Sequence, residues 1–232
     1  MDFALMWESL PTILGGTYET MRLVVLSLLV GLVGSVVVAL MRLSRSAILS
    51  GLAYWYVYVF RGTPLFVQIY LIYYGLGQYV DFWESIGLWV VLREPFWCAI
   101  IALAMNTTAY TSEIIRGGIL SVPNGQLEAA KACGMSPFMA FRRITLPVAI
   151  RQGLPAYGNE VVLMVKATSL ASTITLMEMT GIANQIISRT YAVLEVFLVA
   201  GAIYLAINFL ATRLVRALEW RLTPYLRPRP TS

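Results

Sequence analysis

Apolar residues along this chain gather into long runs instead of alternating with polar ones at a surface-helix or strand period. A helix needs about 20 predominantly apolar residues to cross a bilayer. Five runs meet that length, at about 20–41, 49–74, 96–115, 154–176 and 192–212. The second is interrupted by Arg61-Gly62-Thr63-Pro64. Such a break at membrane depth is tolerated only where protein or a cavity covers the backbone. The connection 77–95 is mixed, with Asp81, Glu84, Arg93 and Glu94 around Phe82, Trp83 and Trp89, and its tryptophans read as interface anchors.

Composition agrees with that pattern. Of 232 residues, 59% are hydrophobic and only 12% are charged, about half the charge share of a soluble domain. Mean hydropathy is +0.73. The chain therefore reads as an integral, multi-pass membrane protein with an all-α fold, one transmembrane domain over 1–232. There is no His, so neither a His-ligated metal site nor a His-based catalytic relay is available, and no metal site is expected. The N-terminal stretch carries Asp2 and Glu8 before any basic residue, the wrong charge for a cleaved signal peptide. Cys98 and Cys133 are expected to be lone, packed thiols on opposite sides of the membrane.

The net charge of +5 does not indicate nucleic acid, because the cations sit beside membrane ends rather than on one soluble face. Arg42 and Arg45 follow the first run; Arg116, Lys131, Arg142, Arg143 and Arg151 lie between the third and fourth; Arg213, Arg216, Arg221, Arg227 and Arg229 follow the fifth. The alternate connections hold Asp2, Glu8, Glu19, Asp81, Glu84, Glu94, Glu178 and Glu195. The positive-inside rule then puts the N-terminus outside and the C-terminus in the cytoplasm, as five spans require. Residues 228–232 read as a frayed tail.

The cytoplasmic loop, about 117–150, has its own pattern. Asn124 is a fitting N-cap for a short helix from Gly125 to Cys133, with Glu128 near its first turn and Gly134 as its stop. Ser136-Pro137 restarts a helix, Ser as cap and Pro in the first turn. Ala129, Ala130 and Ala132 leave little bulk, so another protein's surface can approach closely. An interfacial helix lying on lipid is the plainer alternative, and an Ala-rich face binds lipid poorly. The spacing Glu128-Ala129-Ala130, three residues, Gly134, nine residues, Ile144-Thr145-Leu146-Pro147 resembles the coupling loop of ABC importer permeases.

The resemblance extends over nearly the whole chain. Arg61-Gly62-Thr63-Pro64-Leu65, Asn106-Thr107-Thr108-Ala109-Tyr110, Glu113-Ile114-Ile115-Arg116-Gly117-Gly118 and Lys166-Ala167-Thr168-Ser169-Leu170 are similar to the polar amino-acid uptake permeases, the M-type permeases of the histidine, arginine, octopine and nopaline systems in particular. The resemblance implies a type I importer fold in a bacterial inner membrane and pairing with a Q-type permease. It further implies two copies of an ATPase and a periplasmic amino-acid-binding protein. Glu128, Ala129, Ala130, Gly134, Ile144, Leu146 and Pro147 would then meet the ATPase. No Gly-x-x-x-x-Gly-Lys-Ser/Thr phosphate loop occurs, so this chain does not hydrolyse ATP by that route. It is expected to be no enzyme and to bind no cofactor itself, with ATP and Mg belonging to the partner ATPase.

An ionisable residue inside a span costs several kcal/mol unless paired or hydrated, so each is a functional candidate. Glu160, in Tyr157-Gly158-Asn159-Glu160 near Pro155, either receives a ligand's cationic group or pairs within the bundle. Lys166 lies six residues on, about 240° around the helix, and is not its partner there. Lys166 either belongs to an outer gate or snorkels. Asn106, Tyr110 and Glu113 form one polar stripe at four- and three-residue spacing. Asn106, Asn159 and Tyr110 join Glu160 as candidate pathway residues. Glu113 and Arg116, three apart, are expected to pair with each other or with neighbouring chains. A carboxylate in the pathway favours cationic or guanidino amino acids and opines. Glutamine-type uptake stays open, as does the more remote reading of an ion-coupled carrier.

Overall fold

The computed structural model describes residues 1–222, which are helical with no strand among them; the tail 228–232, with Arg227 and Arg229, lies outside the described residues. The chain order is α1 (Phe3–Gly15), α2 (Thr17–Leu43), α3 (Ala47–Gly62), α4 (Leu65–Tyr70), α5 (Val80–Ser85), α6 (Trp89–Leu92), α7 (Pro95–Leu120), α8 (Asn124–Ala132), α9 (Pro137–Ala140), α10 (Leu146–Ala167), α11 (Met179–Thr190) and α12 (Val193–Leu222). Single π turns, Leu71–Gly75 and Phe141–Thr145, extend α4 and join α9 to α10; a 3-10 segment, Thr168–Ile174, follows α10.

Three stretches are long and apolar enough to cross a membrane: Phe3–Leu43, Pro95–Leu120 and Val193–Leu222. A fourth forms if Pro137–Ile174 and Met179–Thr190, bent by 48°, act together. The second predicted run appears instead as two pieces, α3 and then α4 with its π turn, neither of which reaches about 20 residues. The run expected from 154 begins at Leu146, because Pro147 falls in the first turn, where its missing N–H costs nothing. Two helices were not anticipated. α1 carries Pro11 and ends on Gly15, and α11 is short and amphipathic.

The seam between α2 and α7 organises the bundle. Ser27, Gly31, Ser35 and Ala39 recur every four residues on α2, all buried, and face Ala104, Thr107, Thr108 and Thr111 of α7, also buried. Small residues are what lets helices approach closely in lipid. A Cβ on Gly31 would overlap the Thr107 methyl. Thr108 Oγ1 donates to the Gly31 carbonyl at 3.1 Å, a bond that needs this approach. Around the seam, Leu23, Ile69, Leu103, Val165 and Ile174 build the main core. A second core, Ile13, Met179, Val196 and Ile203, ties α1 to α11 and α12.

Two expectations need correction at the outer connections and the thiols. Glu178 is not a loop charge in water: it is fully buried. It caps α11 by accepting from the Gly181 N–H at 2.9 Å and accepts the Tyr204 hydroxyl at 2.6 Å, which together compensate its burial. Cys98 is a packed, buried thiol that donates to the Leu92 carbonyl, whereas Cys133 is exposed. Cys133 closes a helix, α8, on which Ala129 and Ala132 are also exposed.

Candidate functional site

In the loop that follows α7, α8 starts at Asn124, one residue earlier than its sequence indicates. Asn124 is therefore inside the helix, Pro123 stands at the cap without a side-chain bond, and Glu128 falls in the second turn. The stop is as its chemistry requires. Gly134 has φ +74°; its N–H donates to the Lys131 carbonyl at 2.9 Å and the Met135 N–H to the Ala130 carbonyl at 3.0 Å, a Schellman closure that needs a left-handed residue. Ser136 Oγ accepts from the Met139 N–H at 3.3 Å and starts α9.

Among the coupling candidates, Ala129, Ala130 and Ile144 line one shallow pocket of about 320 Å³ with Gln126, Cys133 and Met135. Glu128 and Leu146 are exposed outside it, and Pro147 is half-buried. The outer surface of α8 is thus a small-residue face, Ala129, Ala132 and Cys133, left open.

Within the bundle, the break at Gly62-Thr63-Pro64 is held by a side chain that sequence reasoning missed. Buried Gln68, in the first turn after the break, donates through Nε2 to the Phe60 carbonyl at 2.9 Å, the Thr63 carbonyl at 3.1 Å and Thr63 Oγ1 at 2.8 Å. Asn106 of α7 donates to Gln68 Oε1 at 2.9 Å and to the same Phe60 carbonyl at 3.3 Å. The carbonyls freed by Pro64 are in this way satisfied from within the protein, as hydrocarbon demands. Asn106 is committed to the break rather than to open space.

The four candidate pathway residues are not brought to one wall. Tyr110 lines a cavity of about 580 Å³, together with Arg42, Tyr54, Arg61, Thr63 and Glu113. Arg61 lies over the Tyr110 ring at 5.1 Å, a cation–π contact. Asn159 is exposed. Glu160 is buried at 7% exposure, with Thr107 and Arg61 as its polar neighbours. The Thr107 and Thr111 hydroxyls hydrogen-bond each other at 3.4 Å. Glu160 is not among the residues that line this cavity.

Glu113 is clamped between two guanidinium groups. Arg116 Nε and Nη2 donate to its Oε2 at 2.9 and 2.7 Å, and Arg42 of α2 donates to Oε1 at 3.1 Å. The 42–113 link was not readable from the sequence. Arg42 also lies over the Tyr54 ring at 5.1 Å. Lys166 is exposed at the mouth of a second polar pocket, about 330 Å³, shared with Ser169, Thr180 and Tyr204.

Residues 10–224 match the model of the family described as binding-protein-dependent transport system inner membrane component. This chain belongs to that family. As a permease subunit of an inner-membrane ABC importer it moves cargo through the membrane and is not the ATPase, which is a separate partner. The permease is 60% identical over 229 residues to the nopaline transport system permease protein NocM of Agrobacterium fabrum, covering 99% of this chain and 95% of that protein. It is 42% identical over 214 residues to the arginine ABC transporter permease protein ArtM of Escherichia coli, covering 92% and 96%. Among solved structures, a crystal structure of an amino acid ABC transporter with histidines superposes with a TM-score of 0.85 at 36% identity, covering 95% of this permease and 99% of that chain.

Proposed function

We propose that this permease carries cationic or guanidino amino acids and opines of the arginine, histidine, octopine or nopaline class. Its carrying observation is the buried Glu160 carboxylate of α10, whose polar neighbours are Thr107 and Arg61. A ligand guanidinium matches a carboxylate bidentately, and the α-carboxylate of any amino acid matches the exposed Arg61 guanidinium. The names of the nopaline, octopine and arginine relatives support this class. A neutral ligand such as glutamine would use Arg61 and leave Glu160 without a partner. The ion-coupled reading does not survive family membership.

In this reading the permease pairs with a Q-type permease on two copies of an ATPase, which uses ATP and Mg, and a periplasmic binding protein delivers the cargo. The chain crosses the membrane five times with its N-terminus outside. The break of the second run is closed by Gln68, which lets α3 and α4 act as one crossing. Glu128, Ala129, Ala130, Gly134, Ile144, Leu146 and Pro147 meet the ATPase.

Glu160→Gln tests the substrate class. It removes a charge-assisted bond worth roughly 1.5–3 kcal/mol, so arginine uptake per assembled complex should fall about ten- to a hundredfold, with glutamine uptake little changed. An equal loss on both would make Glu160 scaffold and overturn the reading.

A further inference from the structure

We infer that this permease holds an anionic phospholipid in a groove at the basic end of its bundle, with one acyl chain between α2, α7 and α10 and the headgroup on Arg142 and Arg143. The groove encloses about 410 Å³ and is walled by Val36 and Leu40 of α2, Ile115 and Ile119 of α7, and Ile150 of α10, with Phe141 of the adjoining π turn at its end. Thr111 and Tyr157 are the lining residues that carry hydroxyls, and the Thr111 hydroxyl is already engaged with Thr107. Apart from the Tyr157 hydroxyl the lining offers little to a polar occupant, and water would be poorly held.

Position and charge select the occupant. The α2 wall, Leu32 to Leu40, is about 12 Å long, close to the roughly 15 Å depth of one hydrocarbon leaflet. Leu40 and Val36 continue into the exposed apolar face of α2 formed by Leu29, Val33 and Val37, so the groove opens sideways where lipid tails lie. Along the chain, cations adjoin the residues at its end. Arg142 and Arg143 directly follow Phe141 on the π turn, and Arg45 lies five residues beyond Leu40. All three are exposed, and the salt bridges among the described residues do not use them. A tail-sized apolar slot ending on unpaired guanidinium groups fits a phosphate-bearing, net-negative lipid better than a zwitterionic one.

Photolabelling of the assembled importer tests this, read without transport and so independent of the substrate reading. Vesicles of phosphatidylcholine carry traces of phosphatidylglycerol, or of phosphatidylcholine, with a photoactivatable group on the acyl chain. Labelled peptides should be those holding Val36, Ile115 and Ile150, and the phosphatidylglycerol probe should dominate. Each arginine near the surface contributes about a fivefold preference. Arg142→Gln with Arg143→Gln should therefore cut phosphatidylglycerol labelling by about five- to twenty-fivefold and leave phosphatidylcholine labelling unchanged. Arg45→Gln, outside the cytoplasmic loop, should produce a smaller loss of the same kind, and Ile150→Trp should exclude both probes. Equal labelling of the groove by both probes in the unmodified complex would reduce it to an ordinary lipid-facing surface and overturn the inference. So would a groove shielded from both probes while the exposed face of α12 is labelled, because a neighbouring subunit would then cover it.

Discussion

Replacing Gln68 by Met keeps the side-chain volume and removes the amide that closes the break between α3 and α4. Four polar contacts disappear together: three donated to Phe60 and Thr63, and one accepted from Asn106. They do not all count. The Phe60 carbonyl keeps Asn106 at 3.3 Å, and Thr63 Oγ1 still donates to the Val59 carbonyl at 2.8 Å. The Thr63 carbonyl belongs to an exposed residue on the wall of the 580 Å³ cavity, where water can reach it. One half-buried Asn106 N–H is left orphaned, and an unsatisfied buried donor costs about 1–3 kcal/mol. Side-chain bonds between helices in membranes are worth about 0.6 kcal/mol on average, with a maximum near 1.7. About 2 kcal/mol is therefore expected, or about 4–8 °C in Tm for a chain of this size. The two native thiols make a convenient assay. Cys133 reacts with a thiol dye at once, and fully buried Cys98 only on unfolding. Because Asn106 shares the network, Asn106→Leu added to Gln68→Met should cost much less than the sum of the single changes. A Tm shift of about 1 °C or less for Gln68→Met, with strictly additive energies, would refute the assignment of Gln68 as the closure of the break.

Gly31→Val should collapse the yield of folded permease, since even a Cβ there overlaps Thr107; normal size-exclusion behaviour of the assembled complex would argue against so close a seam. At Gly134 an added Cβ meets nothing within 4 Å among the described residues, and Gly134→Leu carries about 1–2 kcal/mol of left-handed strain, so the chain should still insert. It should abolish transport and uncouple ATP hydrolysis from the binding protein, and normal uptake would sink the coupling role. Cysteine at Ser85 should react with an impermeant reagent from outside the cell, and cysteine at Gln126 only after the membrane is opened, both in a Cys133→Ser background; the reverse order would invert the topology.

What was legible in the sequence was local. Gly134 as a stop, Ser136 as a cap and the pairing of Glu113 with Arg116 each depend on residues within five positions. The apolar runs marked α2, α7, α10 and α12 because their length alone exceeds what a soluble helix needs. What escaped was set by partners far along the chain. Arg42 meets Glu113 across 71 residues, Asn106 meets Gln68 across 38, and Tyr204 meets Glu178 across 26. Glu178 in particular reads as a soluble loop charge until the fold supplies a hydroxyl and a helix N-terminus for it. α1 escaped for a different reason: Pro11 and the Gly15-Gly16 pair argue against a helix, and only packing on α11 and α12 outweighs them.

The glycine–threonine seam also limits how this protein can move. Where Gly31 and Gly34 rest on Thr107 and Thr108, there is no spare volume for one helix to slide along the other, and any shift would open a void or force a clash. α2 and α7 therefore travel as one plate. Changes of shape during a transport cycle fall to places where backbone continuity is already interrupted: the α3–α4 break, Pro155 within α10, and the left-handed Thr175 before α11. These three points divide the permease into a stiff slab and the pieces that pivot against it.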